Sequence, residues 1–160
     1  MSPDDGGGST RGNVLGGLVT AGLGREFAHT LWTPTIWVYY DWASGDKNPL
    51  DGQSNTFNQL FPLGHKYFGF NDLVARQNVQ DLNFQFHLKP GEKSAFLIWW
   101  HIFHLDQAQD SLYNANGTAI RTSPGGVAGT DVGQEIDLTY KYTLSARADL
   151  LLGYSHFFAG

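Results

Sequence analysis

The chain has 160 residues, the length of one ordinary domain, with 14% aromatic and 16% charged residues, 20 glycines and a formal net charge of −5. The negative charge argues against non-specific nucleic-acid binding, and the absence of cysteine excludes disulfides and thiolate metal sites. No apolar run approaches the roughly 18–20 residues of a spanning helix, but spanning strands turn only about half of their residues to lipid and escape that test.

Residues 1–13 are acidic and glycine-rich and read as a flexible N-terminal piece, without the basic and apolar regions of a signal peptide. Residues 14–160 read as one β domain of six strands. The first covers residues 14–23 and is rich in glycine. The second covers 32–42 and places Trp32, Pro34, Ile36, Val38, Tyr40 and Trp42 on one face. The third covers 78–88, with Leu82, Phe84, Phe86 and Leu88 opposite Asp81, Asn83, Gln85 and His87. The fourth, 94–105, is apolar on both faces. The fifth, 134–142, alternates most clearly: Ile136, Leu138, Tyr140 and Tyr142 against Glu135, Asp137, Thr139 and Lys141. The sixth begins at Ala146 and sets Ala148, Leu150, Leu152 and Tyr154 against Arg147, Asp149 and Ser155.

The connections alternate in length. Residues 24–31, 89–93 and 143–145 are short, whereas 43–77 and 106–132 are long and polar. Loops of that length are uncommon in compact soluble domains. Short turns at one end and long loops at the other suit an outer-membrane barrel. Parity agrees, because cross-strand partners must share a face and the 89–93 and 143–145 turns hold odd numbers of residues. With a three-residue turn Lys141 faces Arg147, with Asp149 one diagonal away, as a mixed-charge ladder. Trp32 and Trp42 act as a ruler. Ten residues at the strand rise, tilted by about 40°, span about 25 Å of height, the usual apolar band between aromatic girdles. Tyr40, Tyr140, Tyr142 and Tyr154 join them as girdle candidates.

Four segments carry a resemblance. They are Tyr-Asp-Trp-Ala-Ser-Gly-Asp at 40–46, Phe-Pro-Leu-Gly-His-Lys-Tyr-Phe-Gly at 61–69, Asp-Ser-Leu-Tyr-Asn-Ala at 110–115, and Gly-Tyr-Ser-His-Phe-Phe-Ala-Gly at 153–160. Together they resemble the C-terminal part of alginate-export family outer-membrane proteins, over most of the chain after about residue 14. The resemblance implies a monomeric, antiparallel up-and-down transmembrane β-barrel of roughly 16–18 strands. Six strands are too few for it. The chain is therefore expected to be a partial barrel domain lacking its N-terminal strands and last strand, with two open edges. The implied localisation is the bacterial outer membrane, and the implied partners are outer-membrane lipid and a polysaccharide or small hydrophilic solute.

By parity the inner wall carries Asp81, Asn83, Gln85, His87, Trp99, His101, Glu135, Asp137, Thr139, Lys141, Arg147 and Asp149. A pore selects through the groups that line it. The family's alginate exporter has a basic pore, which this stretch does not reproduce. Phe61, His65, Lys66, Tyr67 and Arg76 are candidates for the pore mouth. The segment from Phe61 to Phe70 is too apolar for an exposed loop and is expected to fold onto the rim or into the lumen. Trp99, His101 and Phe103 then either pack against such a loop or offer a surface for sugar rings.

No cofactor or enzymatic activity is expected. Asp41, Asp46, Asp51 and Asn48 match no calcium-loop spacing and read as solvated turn groups. His101 and His104 fall on opposite strand faces and cannot share a metal. Ser155 and His156 are adjacent, so they cannot form a nucleophile–base pair on a regular strand. A porin-like channel is the leading reading. A soluble β-sandwich or jelly-roll carbohydrate-binding module and a non-conducting structural barrel remain the alternatives.

Overall fold

A computed structural model describes residues 14–160; the expected N-terminal piece, 1–13, lies outside the described residues. The elements in chain order are β1 (Leu18–Glu26), β2 (Thr35–Ala43), a single helical turn α1 (Gly64–Tyr67), β3 (Val79–Gly91), β4 (Ser94–His104), β5 (Leu112–Tyr113), β6 (Ala119–Arg121), β7 (Asp131–Ser145) and β8 (Ala148–Ala159). The six long strands form one antiparallel sheet in the order β1-β2-β3-β4-β7-β8, and β5 and β6 pair separately as a small hairpin inside the 105–130 connection. The chain is thus all-β with up-and-down connectivity. Among the described residues β1 and β8 each pair on one side only.

The sheet has two chemically different faces. Register brings Asp41, Asp81 and Phe103 into one row, Tyr39, Asn83, His101 and Glu135 into the next, and Trp37, Gln85, Trp99 and Asp137 into a third. This is the inner face. Ile36, Phe84, Trp100, Ile136 and His156 lie on the other. The long 44–78 connection folds back across the inner face and covers its middle. Glu135 and Asp137 are fully buried beneath it, whereas Leu138 on the opposite face is 39% exposed and Tyr154 60%. Polar side chains are inside and large apolar ones outside, the reverse of a water-soluble sheet.

A small apolar core seals the loop end. Ala43, Val79, Phe103 and Val132 of the sheet region pack with Phe68, Val74, Leu105 and Leu112 of the loops, and Phe57 and Phe157 close around them. The short turns gather at the other end, at 27–34, 92–93 and 146–147.

Three sequence expectations require correction. The first strand starts at Leu18 rather than 14, because β1 pairs with β2 only from Leu18 opposite Ala43; Val14 instead bridges Ser54. Trp32 is not on β2. It lies in the preceding turn, where Trp32 and Thr33 take φ of 67° and 44°, a left-handed conformation that no extended strand contains. The Trp32–Trp42 ruler therefore does not measure one strand. Arg147 is in the β7–β8 turn and not on the inner wall. That turn lies at 146–147 and not 143–145, with a bulge between Thr143 and Ser145, so Lys141 pairs with Leu151 and Tyr142 with Leu150. The shift moves the register by an even number, which leaves every face assignment on β7 and β8 intact.

Candidate functional site

The inner face and the loop docked on it form the candidate site. The loop tip reaches the sheet through its backbone. Phe70 donates its N–H to Asp137 Oδ2 at 3.1 Å, and Asn71 donates to Glu135 Oε1 at 2.9 Å. Gly69 makes that approach possible. Its φ is 84°, and a Cβ there would collide with the Glu135 carboxylate. Above the carboxylates, the Phe70 ring meets Trp99 edge-on at 6.0 Å between centroids.

Beside this contact lies a buried polar chain. His101 Nδ1 is 2.8 Å from Asp81 Oδ2, Asn83 donates to the same oxygen at 2.8 Å, and Trp99 donates its indole N–H to Asn83 Oδ1 at 2.9 Å. His101 also stacks on Phe103 at 5.0 Å and 9°. Asp41 stands directly opposite Asp81 in the register. Arg76 separates this pair of carboxylates electrostatically by donating Nη2 to Asp41 Oδ1 at 2.9 Å, while Thr20 donates its hydroxyl to the same oxygen. The guanidinium lies 5.0 Å from the centroids of both Tyr67 and Phe68, so the loop rings hold it in place.

The expected wall residues divide into three groups. Asp81, Asn83, Trp99, His101, Glu135 and Asp137 are buried under the loop. Gln85, His87 and Thr139 share their face and are half-buried, with His87 Nε2 and Gln85 Oε1 3.0 Å apart. Lys141 and Asp149 sit exposed toward the turn end and bridge at 2.9 Å. His104 and His156 point away from the inner face, opposite in parity to His101 and Ser155.

The loop candidates separate too. The chain from Gly64 to Phe70 does fold back onto the sheet, but Phe61 stays 91% exposed. The expectation of an inward-folded segment thus fails at its first residue, which lies ahead of α1 on the loop's outer side. His65 is 3.3 Å from Asp72, and Lys66 stands over the Tyr67 ring. Among the girdle candidates, Tyr40 and Tyr154 are exposed on the outer face and Tyr140 and Tyr142 half-exposed there, while Trp42 donates its indole N–H to Asp106 Oδ1 at 2.7 Å. The expectation of solvated turn carboxylates holds for Asp51, which is exposed and accepts from the Gln53 N–H, but not for Asp41, buried on β2, or Asp46, buried under the loops and accepting from the Asn48 N–H.

Asp110 ties the two long connections together. It accepts from the Asp46 and Ser111 N–H groups and from the Thr56 and Tyr113 hydroxyls. Burial, followed by the hydrogen bond to the Asp110 carboxylate, pushes the Tyr113 phenol up to about 12. Sequence reasoning singled out neither this hub nor the inward aromatics Trp37 and Tyr39. Gly22 and Gly24 were the available signal for the latter, since they recur at strand spacing on β1 opposite those rings.

No helix among the described residues is long and apolar enough to cross a membrane, which says nothing of spanning strands. Comparison with curated proteins gives no match. The family model described as alginate export matches residues 9–160, nearly the whole chain. With this match, the four sequence segments and the all-β antiparallel sheet in agreement, the chain belongs to the alginate export family.

Proposed function

We propose that the chain forms part of the wall of a porin-like outer-membrane channel, through which a polysaccharide or small hydrophilic solutes pass without chemical change. One observation carries the reading: the polar face of the sheet is the covered one and the apolar face is the open one. Leu138, Leu150, Leu152, Tyr154 and Phe158 are all exposed on one side, while Asp81, Glu135 and Asp137 are buried on the other. Exposed apolar surface on this scale marks a contact with lipid or protein. A soluble sandwich would place those even-numbered side chains in a shared core, and they share none here.

In this reading β1 to β4, β7 and β8 span the outer membrane, and acyl chains cover their outer face. The 44–78 loop narrows the lumen from within, and selection comes from the groups it leaves open. The functional unit is a closed, monomeric barrel, which removes the unpaired edges of β1 and β8. The protein carries a solute and catalyses no reaction. The test is ion conductance of the folded full-length protein in planar lipid bilayers, together with heat-modifiable gel migration. A folded protein that passes no current would defeat the proposal.

A further inference from the structure

Glu135 and Asp137 stand two residues apart on the inner face of β7, and both are fully buried. Each gives one oxygen to the loop: Glu135 Oε1 accepts from the Asn71 N–H and Asp137 Oδ2 from the Phe70 N–H. The other two oxygens, Glu135 Oε2 and Asp137 Oδ1, are buried and meet no donor among the described residues. The two carboxyl groups lie within hydrogen-bonding reach of each other. Ionised together they would repel. A proton between them removes one of the two charges and supplies the missing hydrogen bond.

Among the described residues no cation pairs with either carboxyl group. On β4, His101 faces Glu135 and Trp99 faces Asp137. The His101 imidazole is bound through Nδ1 to Asp81 at 2.8 Å, and its Nε2 meets no partner. Asp81, the titratable group of β3 beside them, has the same sign as the pair. On β8 the facing residues are Phe157 and Ser155, which carry no charge. In the loop, Gly69, Phe70 and Asn71 carry none either. Asp72 lies 3.3 Å from His65, Arg76 is paired with Asp41 at 2.9 Å, and Lys66 stands over the Tyr67 ring. A buried pair of like charges with no counter-ion is strongly disfavoured.

We infer that Glu135 and Asp137 hold one proton between them while the loop is docked, and that loss of this proton releases the 44–78 segment from the wall and widens the lumen. The widening rests on the channel reading, whereas the release of the loop does not. When the loop lifts, water reaches both carboxylates and solvates them as separate ions. Docking therefore takes up a proton. A rise in pH favours the undocked loop, by up to about tenfold in the docking equilibrium per pH unit. The segment is thus a gate that closes in acid and opens in alkali, and its sensor is the same pair of carboxyls that seats the loop tip.

The experiment uses the full-length protein in detergent, with folding checked by heat-modifiable migration. A protease active over the whole range cuts the 44–78 segment at about pH 6 and about pH 9, and its rate is normalised to that on an unfolded peptide. Wild-type cleavage accelerates about tenfold or more at the higher pH, and conductance in planar bilayers rises with it. Glu135→Gln and Asp137→Asn each keep the oxygen that accepts from the loop and put an amide N–H where the proton was. In both variants the loop stays docked, and cleavage at the two pH values agrees within about twofold. His65→Gln removes the other titrating pair of the loop and leaves the wild-type response intact. Equal wild-type cleavage at the two pH values would overturn the inference. So would a response that survives in both amide variants, or one that disappears in His65→Gln. A loop that releases with pH in a protein that passes no current keeps the latch and removes the channel.

Discussion

Asn71 donates its backbone N–H to Glu135 Oε1 at 2.9 Å across 64 residues of chain. With the matching bond from Phe70 to Asp137, this contact fastens the loop tip to the middle of the inner wall. A hydrogen bond contributes roughly 0.5–1.5 kcal/mol net, and a buried group left without its partner costs roughly 1–3 kcal/mol. The loop position is therefore set by two carboxylates on a single strand.

Glu135→Ala removes that acceptor and leaves the Asn71 N–H without a partner. Gly69→Ala keeps the acceptor but sets a Cβ against it, at a residue whose φ of 84° already disfavours a side chain. Both substitutions loosen the loop, by roughly 1–3 kcal/mol of docking energy. Single-channel recordings show larger conductance than wild type, and limited proteolysis cuts the 44–78 segment faster. Unchanged current with an unchanged cleavage pattern would mean the loop is held elsewhere.

The two faces of β7 respond oppositely to charge. Leu138 faces outward between Ile98 and Tyr154, and Thr139 faces inward between Leu97 and Gly153. On the channel reading, Leu138→Arg places a cation in lipid and costs roughly 2–4 kcal/mol near the bilayer centre. On the same reading Thr139→Lys reaches water in the lumen and costs under about 1 kcal/mol. Denaturant unfolding in phospholipid vesicles measures the difference. Equal costs at the two positions would remove the distinction between lipid and lumen faces.

Asp81 and His101 form a fully buried pair at 2.8 Å. Asp81→Ala strips His101, and Asn83 as well, of a shared acceptor. Loss of one partner from a buried polar pair costs about 3 kcal/mol. The same unfolding measurement reads it as a lowered midpoint with an unchanged denaturant slope.

Tyr113 titrates against Asp110 in the loop hub. Its pKa rises from 10.0 to about 12 on folding, through burial first and the carboxylate bond second. A raised folded value stabilises the protein fully below pH 10.0, because both states then hold the proton. Above that the unfolded chain loses its proton first, so stability falls until the folded value of about 12 is passed. Tyr113→Phe removes this contribution, and its unfolding midpoint declines less steeply over that window than the wild type's. Parallel declines would place the alkaline sensitivity in other groups.

Much of the sheet is legible residue by residue. Strands β3 and β7 are framed by alternation that persists through Leu82, Phe84 and Phe86 and through Ile136, Leu138 and Tyr140, and β4 by an apolar run between two turns. Errors arise at turns. Trp32 continues the even-numbered pattern of β2 by chance, and its left-handed backbone has no marker in the residue type. The β7–β8 turn lies at 146–147 instead of 143–145, with a bulge between Thr143 and Ser145, since parity fixes which residues share a face and not where along the chain the turn falls.

The amino-acid sequence by itself determines which side of each ribbon is oily, because strand geometry turns successive side chains to opposite faces and this information is local. Only the tertiary structure decides what covers the polar side. The loop docks through the N–H groups of Phe70 and Asn71, which every residue but proline possesses, onto carboxylates more than sixty positions away. A backbone donor leaves no signature in composition or spacing, so the closure of the inner face becomes visible only when the chain is folded.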